Sequence, residues 1–207
     1  MCIRDRLLVI TVISLAPSIV VMMTSFTRIV VVFHFLRTAL GTQTSPPNNV
    51  LVGLALFLTL FIMTPTLSRI NEEGIQPLSR GEITQEEALE ACMEPLREFM
   101  FNNVKTKDVN FFLDLARIDN VEELSDVPSS VLIPAFIMSE LRTSFIIGFL
   151  LYIPFIIIDM VVASTLMAMG MMMLPPTTIS MPFKLLLFVM ADGWNLVIGE
   201  LINSFNY

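Results

Sequence analysis

Charge is scarce in this chain of 207 residues: 15% are Asp, Glu, Lys or Arg, against the quarter usual in soluble domains, while 55% are apolar. Mean hydropathy is +0.76, which excludes an ordinary water-soluble fold and makes this a membrane protein. Two cysteines, Cys2 and Cys92, stand in unrelated contexts without metal-ligand spacing, so no disulfide framework is implied. The single histidine, His34, lies near a helix end and reads as a satisfied interfacial residue rather than a ligand or proton relay. No glycine-rich phosphate loop, no paired histidine and carboxylate and no nucleophile with a base at usable spacing occurs. No enzymatic activity and no cofactor is expected.

What is abundant is long apolar runs, at residues 7–36, 50–67, 143–174 and 181–202, each near or above the ~20 residues a helix needs to cross a bilayer. The expected fold is all-α: four long, kinked hydrophobic segments forming two hairpins, with a small polar helical domain between the second and third. Residues 1–6, charged and then abruptly apolar, read as a non-native leader. A signal sequence upstream would place the start of the first helix outside the cytoplasm. The first hairpin is expected over 7–66, the acidic extracytoplasmic domain over 67–130 and the second hairpin over 131–207. The first run holds Pro17, Arg28 and His34 and is too long for a simple lipid-bathed span. Gly41 and Ser45-Pro46-Pro47 break the chain, Asn48 or Asn49 can cap the next helix, and Thr64-Pro65 should end it. Arg37 is the one basic residue near this hairpin's tip, a weak orientation signal.

Residues 67–142 carry 15 acidic against 7 basic side chains, so the net charge of −7 is local to this stretch. Such a segment folds in water, and its acidity gives it no reason to bind nucleic acid or an anionic membrane surface. Thr84 followed by Glu87 is a capping box, opening a helix with Leu89, Met93, Leu96 and Met100 along one face and a kink at Pro95. A second helix should start at Thr106 and pack Val109, Phe112 and Leu115, with solvated loop or frayed helix over 119–126.

From Ser129 a very long helix should run to about Met173, with Pro134 and Pro154 demanding kinks or unwinding. The last helix should run from about Ser180 to Ile202 and place Lys184, Asp192, Asn195, Gly199 and Asn203 within about 100° of arc, facing other helices or an aqueous lumen. Asp159, in Phe-Ile-Ile-Ile-Asp-Met-Val-Val, and Lys184, the only cation after Arg142, are natural partners. With the turn placed at 174–180 they differ in depth by roughly 15 Å, which favours a pair between staggered subunits. The other reading is a snorkelling Lys184 with Asp159 protonated or held by hydroxyls. Arg28 and Glu140 are interface candidates, and Glu140 could equally meet Arg142 or solvent.

Met160, Met167, Met169, Met171, Met172, Met173, Met181 and Met190 crowd one region. Unbranched and polarizable, they suit a deformable seal around a passage; plain membrane packing explains them as well. Met167, Met169 and Met171 could also line a Cu(I) path, without supporting Cys or His.

Thr24-Ser-Phe-Thr-Arg28, Leu36-Arg-Thr-Ala-Leu-Gly41 with Pro46-Pro47-Asn48, Gly53-Leu-Ala-Leu-Phe-Leu-Thr59, Leu132-Ile-Pro-Ala-Phe136 and Ser139-Glu-Leu141 resemble the FliP family of flagellar export-gate proteins. Ile147-Gly-Phe149, Pro154-Phe155, Ile158-Asp159, Met167-Ala-Met-Gly-Met-Met-Met173, Pro182-Phe-Lys184 and Asp192-Gly-Trp-Asn-Leu196 continue the likeness over residues 7–207. The related injectisome proteins, SctR, are the nearest competitors; the run of motifs favours the flagellar branch. The resemblance implies a core subunit of the type III secretion export gate in the bacterial inner membrane and flagellar basal body, with the polar domain on the periplasmic side. It implies five copies assembled with FliQ and FliR, passing unfolded flagellar proteins. It further implies a gasket of Met169, Met171, Met172 and Met173, with Asp159 and Lys184 joining neighbours. Members carry a cleaved signal peptide, a pattern that residues 1–6 do not show. Two rivals stand outside the family: a small ion-coupled transporter using Asp159 or Lys184, against which the absence of an internal repeat counts, and a scaffold subunit with no conduit.

Overall fold

The computed structural model describes residues 21–42, 44–118, 126–171 and 174–205. Regular structure among them is entirely helical: α1 (Phe26–Ala39), α2 (Asn48–Ile70), a π-helical turn (Asn71–Ile75), α3 (Gln76–Ser79), α4 (Gln85–Asn103), α5 (Thr106–Ala116), α6 (Ser129–Ala168), α7 (Pro176–Met190) and α8 (Gly193–Asn203). Two stretches are long and apolar enough to cross a bilayer, Asn48–Ser79 and Ser129–Ala168; α7 and α8, bent by 65°, pass the same test as a pair. Much of the first expected apolar segment, the leader at 1–6 and most of the acidic stretch at 119–126 lie outside the described residues.

The chain divides into two compact units, one built on Leu58–Glu140 and the other on Arg28–Phe57 and Leu141–Phe205. In the first, the helix expected to stop at Thr64-Pro65 runs on to Ile70 and through the π turn into α3. Proline removes one N–H and one ladder bond, but more than four turns of apolar helix on its N-terminal side outweigh that loss. Gly74 lies in the π turn. It is buried, and a Cβ there would run into the Cys92 sulfur and approach the Ala88 carbonyl oxygen to 3.3 Å, so only glycine lets α4 lie this close.

The capping box forms as its spacing predicts. Glu87 N–H donates to Thr84 Oγ1 at 3.3 Å, and Thr84 N–H donates to the Glu87 carboxylate at 2.7 Å. The Thr84 backbone N–H, and after it the Thr84 hydroxyl at 2.9 Å, hold the Glu87 carboxyl below its usual range. The face of α4 is rotated from the expected one: Ala88, Pro95, Phe99, Met100 and Asn103 are buried while Leu89 is 68% exposed. Pro95 packs inside a continuous helix. Arg97 fastens α4 to the start of α6, donating to Ser129 Oγ (2.6 Å) and the Val127 carbonyl (2.8 Å). Phe99 meets Phe136 edge-on, and α5 starts at Thr106 as expected, with Val109 buried and Leu115 exposed.

In the second unit the last apolar run is not one helix. Asp192 takes a left-handed conformation (φ 50°) that ends α7 and redirects the chain into α8, as short polar side chains tolerate. The break overturns the single stripe expected from Lys184 to Asn203: Lys184 is buried, Asp192, Asn195 and Asn203 are exposed, and α8 buries Gly193, Val197 and Leu201 instead. A Cβ at Gly193 would overlap the Phe188 ring, and the sole tryptophan, Trp194, packs edge-on to Phe188 (5.5 Å) and Phe33 (6.2 Å). Gly193→Ala should therefore destabilise this bend by about 1–3 kcal/mol, read as a lower Tm and altered Trp194 emission in the detergent-solubilised chain.

The capping box carries a pH dependence. Because the folded pKa of Glu87 is depressed, its contribution is fully present above the ordinary value of about 4.3 and is lost as pH falls through the lower folded value. An NMR titration should place the Glu87 midpoint below the ordinary range, and Thr84→Ala should raise it only part of the way back, since the backbone N–H of residue 84 still donates, while costing about 1 kcal/mol of stability.

Candidate functional site

Helix α6 ends at Ala168 and α7 begins at Pro176, so the connector is residues 169–175, earlier than the turn expected at 174–180. That shift removes the depth mismatch. Asp159 lies nine residues before the end of α6, ~13.5 Å, and Lys184 eight residues after the start of α7, ~12 Å. The single chain accordingly joins them: Lys184 Nζ donates to Asp159 Oδ2 at 2.7 Å. Ser180 Oγ donates to the other carboxylate oxygen at 2.5 Å, and Lys184 Nζ also donates to the Ala39 carbonyl at 3.1 Å.

The Ala39 carbonyl belongs to the last turn of α1, where intrahelical donors have run out. An ammonium there satisfies an otherwise orphaned acceptor and meets the negative end of the helix dipole. One side chain thus ties α1, α6 and α7 together. Lys184 is 4% exposed and Asp159 28%, so the carboxylate keeps one accessible side. Lys184 is thus buried rather than snorkelling, and Asp159 is held both by the ammonium and, as the other reading allowed, by a hydroxyl. Ser180 was legible as a partner, being one turn before Lys184 on the same helix face; the Ala39 carbonyl was not, since backbone acceptors carry no side-chain signal.

Arg28 does the same at another helix end. It is buried, its Nη1 donates to the Ser204 carbonyl (2.7 Å) and Oγ (2.9 Å) just beyond α8, and its guanidinium stacks 3.8 Å above the Phe205 ring. Glu140 is fully buried in α6 beside buried Ser139, whose hydroxyl accepts from Lys105 N–H at 3.1 Å, so the solvent-facing reading of Glu140 does not hold.

The methionine connector opens on a Schellman motif. Gly170 N–H donates to the Met167 carbonyl and Met171 N–H to the Leu166 carbonyl, both at 3.0 Å, with Gly170 left-handed at φ 76°. Glycine at this position removes the Cβ penalty and fixes where the chain leaves α6. Met169 and Met171 are 65% and 45% exposed; Met160, Met167 and Met190 are exposed as well. Met172 and Met173, the remainder of the expected gasket, lie outside the described residues. The described connector thioethers therefore stand at the chain's surface, not within its core.

Comparison with known proteins agrees with the motifs. The chain matches the FliP family over residues 9–201. It is 55% identical to the flagellar biosynthetic protein FliP of Bacillus subtilis (strain 168), covering 96% of this chain and 90% of that protein. It is 53% identical to the protein of that name from Pectobacterium carotovorum subsp. carotovorum (97% and 78% covered) and 54% identical to that of Caulobacter vibrioides (94% and 73%). By the extent and identity of these matches, the chain belongs to the FliP family.

Proposed function

We propose that this chain is a core subunit of the flagellar type III export gate, resident in the bacterial inner membrane and built without catalytic chemistry of its own. Copies of the chain, five by likeness to the family, assemble with FliQ- and FliR-type subunits around a passage for unfolded flagellar proteins. The relatives reported above are all flagellar proteins, which favours this branch over the injectisome. The four apolar segments act as two hairpins, residues 7–66 and 131–207, with the acidic domain over 67–130 on the periplasmic side. The observation that carries the reading is the surface position of Met169 and Met171 on a connector whose exit from α6 is fixed by Gly170. Thioethers held at a defined place with free side-chain torsions can close on one another or around an extended polypeptide, holding back ions without reading sequence.

Met169, Met171, Met172 and Met173 form that gasket. Replacing Met171, Met172 and Met173 by alanine should leave the complex assembled and make it leak ions; an assembled complex with an intact ion barrier would remove the gasket role. In the ring, the accessible side of Asp159 faces the seam and Asp159 and Lys184 exchange partners with neighbouring copies, while Arg28 and Glu140 fix the helices beside them. Losing one partner of so buried a pair costs on the order of 3 kcal/mol. Asp159→Lys and Lys184→Asp should each abolish assembly alone. Co-expressed as two separate chains they should restore it wherever the two kinds alternate, because complementary charges then meet only between subunits. Rescue by the double variant within one chain, without rescue by the mixture, would confine the pair to the subunit.

A further inference from the structure

Two adjoining cavities in the Arg28–Phe57 and Leu141–Phe205 unit share His34, Arg37 and Thr38. The larger, 670 Å³, is a half-open groove walled by Val30, Val31, Leu51, Val52 and Phe145. The smaller, 480 Å³, is walled by Thr42, Thr177 and Thr178 together with Gly41 and Met181. Both lie within the ~300–1,000 Å³ range of small-molecule sites. One is greasy, the other polar and cationic, and Arg37 stands at the boundary.

The groove is built, not incidental. Its floor is Phe35, which packs edge-on to Phe145 at 5.3 Å and lies so close to α6 that a Cβ at Gly148 would come within 2.5 Å of the ring. Tyr152 closes one side with its hydroxyl toward the Thr38 carbonyl, 3.4 Å away. Among the described residues, the polar contact made by the Arg37 guanidinium is to His34 Nδ1 at 3.4 Å; no carboxylate meets it. A guanidinium so placed retains most of its five donors for a planar or tetrahedral oxyanion. Its position fits that role: Arg37 is in the last turn of α1, just before the apolar sequence gives way to Gly41, Thr42 and Ser45-Pro46-Pro47.

We propose that this hairpin binds one anionic phospholipid, its phosphate on Arg37 and an acyl chain along the Val31–Phe145 groove. The proposal rests on the chain lying in a bilayer and is independent of the gate reading. Charge complementarity selects the occupant: an apolar trough ending at an unneutralised guanidinium matches an amphiphile with a negative head.

Native mass spectrometry of the full chain in mild detergent, offered equal phosphatidylglycerol and phosphatidylcholine, tests it. The wild type should retain phosphatidylglycerol preferentially, Arg37→Gln should weaken that retention roughly fivefold and Arg37→Lys should keep most of it. Glycerol phosphate at equal concentration should not compete, since it lacks the chain that fills the groove. For the unaltered protein, phosphatidylglycerol with a photoreactive acyl tail should label the peptides around Val31 and Phe145. Equal binding of the two lipids, unchanged retention in Arg37→Gln, displacement by glycerol phosphate alone, label confined to other peptides, or cross-links from this groove to a second copy of the chain would each overturn the proposal.

Discussion

Helix ends must find donors for their last carbonyls, and in apolar surroundings water does not supply them. Two buried cations meet that constraint in the second unit. Lys184 closes the end of α1 at Ala39 while holding Asp159, and Arg28, near the start of α1, closes the end of α8 at Ser204. Each cation is thereby satisfied by more than one acceptor, which is what makes burying it tolerable. Hydrophobic packing is non-directional and would allow α6 and α7 to slide past each other; these directed bonds fix their register and with it the location of the connector.

Around these polar points the molecule is greasy on the outside. Of the most apolar window of α6, 11% is buried within the chain, and Phe57, Phe61, Phe149 and Val189 are exposed. In water such a surface would be untenable; in contact with lipid or with further apolar helices it costs nothing, because hydrocarbon is as good a neighbour as another leucine. The buried polar side chains, among them Arg28, Lys184, Ser139, Ser144 and Ser180, are accordingly found inside the units.

Features set by local chemistry were legible in the sequence. The Thr84 capping box, the start of α5 at Thr106, the apolar runs at 50–67 and 143–174 and the affinity of Asp159 for Lys184 all follow from neighbouring residue types, and the structure contains each. What misled was punctuation. Pro65 read as a stop but lies within a continuous helix, because the helical ladder on either side outweighs one missing bond. Asp192-Gly193 reads as helix interior but is a break, since the side chain of Phe188 occupies the space a Cβ at 193 would need. The end of α6 was signalled by Gly170 in the left-handed cap position; placing the turn at Pro175-Pro176 instead displaced Asp159 from Lys184 by a distance the chain does not have.

That displacement shows how the ion pair and the methionines constrain one another. A connector of residues 169–175 is the length that lets Asp159 and Lys184 stand level, so the pair and the glycine cap together determine which methionines fall beyond the helix end. Met167 remains in the last turn of α6, held by the ladder, whereas Met169 and Met171 flank the residue that reverses the chain. A leucine at those positions would fill space as well, but its branched Cγ limits it to fewer shapes than an unbranched thioether with three rotatable bonds. The backbone is pinned from below by directed polar bonds, and the side chains above it are the most adaptable apolar ones available. A rigid mount carrying a soft edge is what a closure must have if it is to seal when empty and yield when something passes.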